Sequence, residues 1–339
     1  MTYLDINRIE LFETPVSATY RMDLALTYQC NNACKHCYLP KDRMPGKLTT
    51  QQWKQALSKI WEIGIPQVCF TGGEATLRPD LVELIASAEE TGLITGLLTN
   101  GRKLKDKKLV KQMTEAGLDH FQITLESHLA SVHDKMVGSK GAFEDTVKAI
   151  KNAAASPVCT ITNTTLIKLN AKGMEKTVEF LKKLGITTMA CNRLIYSGQG
   201  ASCGLCFKEA ELVPLMERIR NQAQRLGLKL IWYPPTQYCQ LDPVGLELGV
   251  KTCTAARYNM RVEPDGSVIP CQSYFAPLGN ILTDKWEVIW NAKPAVDIRN
   301  KAHIMDKCKK RRKLPLCGRG CPIYNTQNEV LCVDSKSNG

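Results

Sequence analysis

The residues best placed to do chemistry are three cysteines in one short loop. Cys30-Asn-Asn-Ala-Cys34-Lys-His-Cys37 has the spacing C-x3-C-x2-C. Cysteine thiolates are the ligands of iron–sulfur clusters, and a cubane has four irons to be held. Three local thiolates leave one iron without a protein ligand, and that corner can chelate a substrate or cofactor through an amine and a carboxylate. The competing cargo is zinc, which as a structural ion takes four protein ligands. His36 offers an apparent fourth donor but lies too close in sequence to Cys34 and Cys37 for an easy tetrahedron. Free structural thiols are the remaining alternative.

A second concentration of thiols lies towards the C-terminus. Cys253, Gly266 and Cys271 stand as C-x12-G-x4-C, and Cys308, Cys317 and Cys321 as C-x8-C-x3-C, with Cys332 last. A zinc ribbon is the alternative to iron–sulfur chemistry in this half. Cys203-Gly-Leu-Cys206 is a C-x2-C pair on a loop, and Cys239 follows the next helix. They read as incidental surface thiols, or as a pair that completes a cluster or takes part in substrate chemistry. Cys69, Cys159 and Cys191 fall on predicted strands between apolar neighbours and read as buried small hydrophobes. Fifteen cysteines in a chain of 339 residues without an export signal point to metal ligation rather than disulfides.

These loops need elements to position them. Short β-rich runs at Asp23–Thr27, Gln67–Phe70, Ile94–Thr99, His120–Leu125, Val158–Leu166 and Thr188–Leu194 alternate with helical patterns. The helices are predicted at Gln51–Ile63, Leu81–Glu90, Lys108–Ala116, Phe143–Ala154 and Met174–Leu184. Thr49 and Gln52 have capping-box spacing, and Gly64, Gly92, Gly117 and Gly185 close helices. Such repeats make a parallel sheet, either doubly wound or curved into a partial barrel, with ligands at the C-terminal strand ends. The cysteine loop follows the first strand. The second strand ends in Thr71-Gly72-Gly73-Glu74, where glycines let a ligand approach backbone and the carboxylate suits an ammonium group. After a Gly-rich loop (Ser197–Gly204) and an amphipathic segment, Lys208–Leu226, the texture changes. Pro234–Pro235 breaks the chain, and Met260–Asp265 and Ser267–Pro270 read as a hairpin about Glu263-Pro-Asp-Gly266.

C-x3-C-x2-C directly after the first strand of a (β/α)6 pattern resembles the radical S-adenosylmethionine (SAM) superfamily. The resemblance implies a partial (β/α)6 TIM-like barrel and a 4Fe-4S cluster on Cys30, Cys34 and Cys37. SAM would bind its open iron and be cleaved to methionine and a 5′-deoxyadenosyl radical. His36, before the third cysteine, would lie near the adenine, and Gly72, Gly73 and Glu74 would hold the SAM amino group. Thr99-Asn100-Gly101 ends the third strand as in many relatives. Where relatives end the fourth strand in Ser-x-Asp-Gly, this chain has Thr124-Leu125-Glu126-Ser127, which keeps a hydroxyl and a carboxylate. By position, Asn163 and Arg193 would meet the ribose and the carboxylate of SAM.

The C-terminal half resembles the SPASM extension of radical SAM peptide-modifying enzymes, which implies auxiliary 4Fe-4S clusters. The first would take Cys253, Cys271 and Cys321, and the second Cys308, Cys317 and Cys332. The position of one further cysteine is Arg311 here, so each set has three recognisable thiolates. The expected division is residues 1–232, with a barrel core over 22–200, and a SPASM-like domain over 233–339.

The resemblance implies hydrogen abstraction from a peptide or protein. About twenty residues precede the first strand, so leader recognition is expected from a separate protein. An electron donor such as flavodoxin or ferredoxin is also implied. The alternative substrate is a small anionic molecule such as a tetrapyrrole or nucleoside sugar, which the net charge of +12 suits. A third reading, from another class, is a non-catalytic iron–sulfur or zinc binding module. The basic runs Arg102–Lys111 and Lys307–Lys313 read as solvated faces, or as a surface for an acidic partner. No nucleic-acid-binding signature accompanies them. With 44% hydrophobic residues, no apolar run long enough to span a bilayer and no secretory signal, the expected location is cytoplasmic.

Overall fold

The structure, a computed structural model, describes residues 17–40, 46–302, 304, 306–317 and 320–323. Seven strands pair side by side in sequence order, all parallel. They are β1 (Arg21–Thr27), β2 (Gln67–Gly72), β3 (Ile94–Thr99), β4 (His120–Thr124), β5 (Cys159–Leu166), β6 (Thr188–Arg193) and β7 (Lys229–Trp232). An unbroken order has no switch point, which separates this sheet from a doubly wound one. Six strands were expected, and β7 is a seventh, too short for its pattern to stand out. The connecting helices are α1 (Thr50–Glu62), α2 (Leu81–Thr91), α3 (Lys107–Glu115), α4 (Ala130–Val137), α5 (Ala142–Ala154), α6 (Met174–Lys183) and α7 (Glu209–Arg225).

Side chains alternate between two environments along each strand. On β1, Met22, Leu24 and Leu26 join the apolar core that Trp53, Leu57 and Ile60 of α1 help build. Arg21 and Asp23 instead border a cavity. β4 sends Phe121 and Ile123 to the core and Gln122 and Thr124 to the cavity, and β6 divides Met189 and Cys191 from Asn192 in the same way. The sheet therefore has an apolar face under its helices and a polar concave face. Helix α1 starts in the expected capping box, with Thr49 Oγ1 accepting from Gln52 N at 3.2 Å and Gln52 Oε1 from Thr49 N at 3.0 Å.

The C-terminal half extends the same sheet. β8 (Asn259–Val262) pairs parallel with β1, and β9 (Ser267–Ile269) and β10 (Gly279–Asn280) continue antiparallel, so the expected hairpin forms. Lys47 N and Leu48 N donate to Pro264 O at 3.0 and 3.1 Å, tying the hairpin turn to the segment after the cysteine loop. Short helices follow at α8 (Trp286–Trp290), α9 (Lys293–Arg299), α10 (Asp306–Lys309) and α11 (Leu314–Cys317). Among the described residues, no helix is long and apolar enough to cross a membrane.

One expectation for the structural thiols is corrected. Cys69 and Cys191 are buried, but Cys159, the first residue of β5, is exposed, and burial along the strand sets in only from Thr162.

Candidate active site

The cysteine loop leaves β1 and is pinned from four sides. Gly73 N donates to Thr27 O at 2.7 Å and Glu74 N to Gln29 O at 2.8 Å, which docks the root of the loop on the end of β2. A Cβ on Gly73 would meet the carbonyl oxygens of Tyr28 and Gln29, so the glycine is required by the chain's own backbone. From the second side, Ala33 N and Lys35 N donate to the last carbonyls of α4, Val137 O and Met136 O, each at 2.9 Å. On the third, Arg102 Nη1 reaches Asn31 O at 2.6 Å and Ser139 Oγ at 2.9 Å, while its Nε meets Asp145 at 3.2 Å. Arg102 thus belongs to the loop's scaffold and not to a solvated face. Gly200 N closes the fourth side by donating to Cys37 O at 3.0 Å.

The three thiols are near neighbours. Burial pushes the Cys34 thiol well up, and the neighbouring Cys30 and Cys37 push it further. Such a set becomes stable as thiolates when iron supplies the compensating charge. Asn32 N donates to Cys30 Sγ at 3.4 Å, a contact of the kind that tunes a cluster's potential. Cys253, Cys271 and Cys321 form a second group. Burial raises the Cys253 thiol, with Cys321 and Cys271 adding to the rise, and Cys271 is raised mainly by burial. Among the described residues no three His, Cys, Asp or Glu side chains converge as on a lone metal ion. A cubane spreads its ligands over separate irons, and both groups fit that chemistry.

Both groups border one cavity of about 540 Å³ at the C-terminal ends of the strands. His36, Gly72, Gly73, Glu74, Thr124, Glu126, Asn163 and Arg193 all border it too. Their side chains are not equally open to a ligand. Both oxygens of Glu74 are engaged: Oε1 accepts from Thr99 Oγ1 at 2.7 Å and Thr76 Oγ1 at 2.6 Å, and Oε2 from Asn100 N at 2.8 Å. This carboxylate joins the turns after β2 and β3. Arg193 is buried in an ion pair with Glu209, whose other oxygen accepts from Gln237 N at 2.8 Å. A buried guanidinium requires such a partner. Asn163 Oδ1 accepts from Asn192 Nδ2 at 3.0 Å. Glu126, fully buried, accepts from Thr165 N at 2.8 Å, and its Oε1 lies 2.9 Å from His36 Nε2, closely spaced although not aligned as a hydrogen bond.

The second C-terminal set is less closely drawn. Cys317 Sγ accepts from Tyr238 N at 3.4 Å, Cys308 lies on α10, and Cys332 falls outside the described residues. Cys203 and Cys206 pack against a small apolar group of Met136, Ile167 and Leu194; Leu194 borders the cavity but neither cysteine does, and Cys239 is exposed. Residues that sequence reasoning missed are Arg102, His133, Gly138 and Tyr38. Tyr38 accepts from Arg261 Nη1 at 3.2 Å and so links the cysteine loop to β8. Only Arg102, directly after Thr99-Asn100-Gly101, carried a positional signal.

Comparison with known proteins matches residues 24–181 to the radical SAM superfamily and residues 253–322 to SPASM, an iron–sulfur cluster-binding domain. The chain is 29% identical over 275 residues to the PqqA peptide cyclase of Ruegeria pomeroyi, covering 77% of this chain and 70% of that protein. It is 28% identical over 305 residues to the AdoMet-dependent heme synthase of Methanosarcina barkeri, covering 84% and 85%. Among solved structures, Streptococcus suis SuiB bound to S-adenosylmethionine superposes with a TM-score of 0.78 at 17% identity, over 93% of this chain and 76% of that one. The enzyme anSMEcpe with bound AdoMet and Kp18Cys peptide gives 0.70 at 16% identity, over 94% and 91%.

Proposed function

The chain belongs to the radical SAM superfamily and carries a SPASM domain, and from that premise we propose that it is a peptide-modifying radical enzyme. Its cofactors are S-adenosylmethionine and 4Fe-4S clusters. In this reading Cys30, Cys34 and Cys37 hold the SAM-binding cluster, and Cys253, Cys271 and Cys321 hold an auxiliary cluster. Cys308, Cys317 and Cys332 are reserved for a second auxiliary cluster, and the two domains divide near Tyr233. When bound, cluster and SAM together supply the 5′-deoxyadenosyl radical that abstracts hydrogen from the substrate.

The protein's own contribution is position and exclusion of water. The four-sided clamp fixes the cysteine loop, and Gly72 and Gly73 offer backbone to the cavity because Glu74 is spent on the turns. Thr124 at the end of β4 and its cross-strand neighbour Asn163 within β5 offer polar side chains. The reading requires an external one-electron donor of the flavodoxin or ferredoxin type.

The observation that carries the proposal is that both three-cysteine groups border one cavity. A substrate between them would lie within reach of the radical and of an auxiliary cluster able to take up its leftover electron. Charge supports a peptide over a polycarboxylate. Among the described residues, the lysine or arginine side chains bordering the cavity are Arg21 and Arg193, and each has a carboxylate partner, Asp23 at 3.0 Å and Glu209 respectively. Glu74 and Glu126 add negative charge. The net charge of +12 is therefore not expressed where substrate would bind.

The likeness to a heme synthase keeps a tetrapyrrole as the second reading. Reconstituted enzyme, SAM and reductant incubated with a short peptide encoded beside its gene separate the two. A changed peptide mass with matching 5′-deoxyadenosine is expected. An unchanged peptide, with deoxyadenosine formation stimulated by a tetrapyrrole carboxylate instead, would transfer the assignment to the second reading.

A further inference from the structure

Four lysines stand around the outer side of the cysteine loop. Lys35 lies in the loop itself, and its backbone N–H donates to Met136 O at 2.9 Å. Lys135 precedes Met136 in the last turn of α4. Lys103 follows Arg102, whose Nη1 holds Asn31 O of the loop. Lys140 follows Ser139, which shares that same guanidinium nitrogen at 2.9 Å. Each lysine is therefore in the loop or next in sequence to a residue of its clamp, about 3.8 Å along the chain. All four are exposed and none borders the cavity, so they face solvent.

The acids on the same segments offset little of this charge. Asp134 accepts from Gly141 N at 2.7 Å and Phe143 N at 2.8 Å, which holds it to the start of α5. Asp145 is matched by Arg102 and Lys105. Exposed Glu144 sets one negative charge against the four lysines. The basic run of the C-terminal half is more closely paired. Its Lys309 lies 2.6 Å from Asp306, and its Lys313 lies 2.6 Å from Asp242. A patch of one sign steers an oppositely charged protein to its encounter and orients it there. SAM and substrate need the cavity side of the loop, and the outer side is left for a protein to approach.

We propose that this outer face is the docking surface for a small one-electron carrier protein, acidic around its own cofactor. On docking, one electron passes from the reduced carrier to the cluster behind the loop, oxidising the first and reducing the second. No proton accompanies it. The proposal rests on the radical SAM reading and adds the place at which the reductant arrives.

The test is the association rate of oxidised flavodoxin with the reconstituted holoprotein, followed by its flavin fluorescence. For wild type the rate should fall by about tenfold or more as ionic strength rises from about 0.01 to about 1 M. At low salt the triple variant Lys103→Glu, Lys135→Glu, Lys140→Glu should associate about tenfold or more slowly while keeping its iron. Lys309→Glu, Lys310→Glu, Arg312→Glu makes the same change of charge elsewhere and should stay near wild type. If the first triple variant loses iron, the single variants Lys103→Gln and Lys140→Gln should still each slow association measurably. A salt-insensitive rate, no association at all, or equal or greater slowing in the second triple variant would overturn the proposal. Wild type that cleaves SAM with dithionite but does not bind flavodoxin sinks this inference alone. Iron-loaded wild type that does not cleave SAM sinks the radical SAM reading with it.

Discussion

Arg102 donates from Nη1 to the carbonyl oxygen of Asn31 at 2.6 Å, so a residue from the turn after β3 fixes the backbone next to Cys30. The same guanidinium holds Ser139 and Asp145. Arg102→Ala removes a charge-assisted group from a largely buried setting and should cost about 1.5–3 kcal/mol. Cluster loss to a chelator should quicken in parallel. Cluster retention equal to that of wild type would mean that the clamp does not hold the loop.

The end of α4 makes a tighter demand. Gly138 has φ 65°, and a Cβ there would strike the carbonyl oxygen of Ala33 in the cysteine loop. Gly138→Ala should therefore push the loop off the helix end and cost about 1–3 kcal/mol through strain. Iron content after reconstitution should fall with it. A variant of unchanged stability and full iron content would refute the docking role.

Asp145 gives the clamp a pH dependence. Burial alone would raise its carboxyl, but hydrogen bonds from Lys105 and Arg102 outweigh burial and hold it below the usual range. A depressed carboxyl contributes stability above the unfolded value of about 3.9 and loses it as pH falls through the folded value. Denaturant midpoints measured from pH 5 down to pH 3 should fall less steeply for Asp145→Asn than for wild type. Parallel curves would remove Asp145 from the account.

Cys271 tests the auxiliary group. Cys271→Ala should lower iron per chain below wild type while SAM still perturbs the spectrum of the reduced first cluster. Unchanged iron would strike Cys271 from the ligands.

Much of this was legible because the parallel strands repeat one grammar. Strand after strand places apolar side chains under helices at alternate positions, and six strands and five helices fall within about two residues of their predicted bounds. What escaped lacks that grammar. Helix α4 has no side-chain N-cap bond and mixes His133, Asp134 and Lys135 with its apolar residues, and β7 is four residues long. The site shows the same division. The spacing of Cys30, Cys34 and Cys37 is local and visible. The meeting of Cys253, Cys271 and Cys321 across the cavity needed the family resemblance. Glu74 and Arg193 looked available for SAM because spacing does not reveal partners, and those partners, Thr99, Asn100 and Glu209, come from other elements.

The central claim is that the cavity holds a SAM-cleaving cluster on Cys34 and its two neighbours. Dithionite-driven formation of 5′-deoxyadenosine, compared between reconstituted wild type and Cys34→Ala, tests it most directly. The account predicts that wild type forms the nucleoside and that the variant stays folded but falls to background. Retained formation by Cys34→Ala, or none by an iron-loaded wild type, would contradict it.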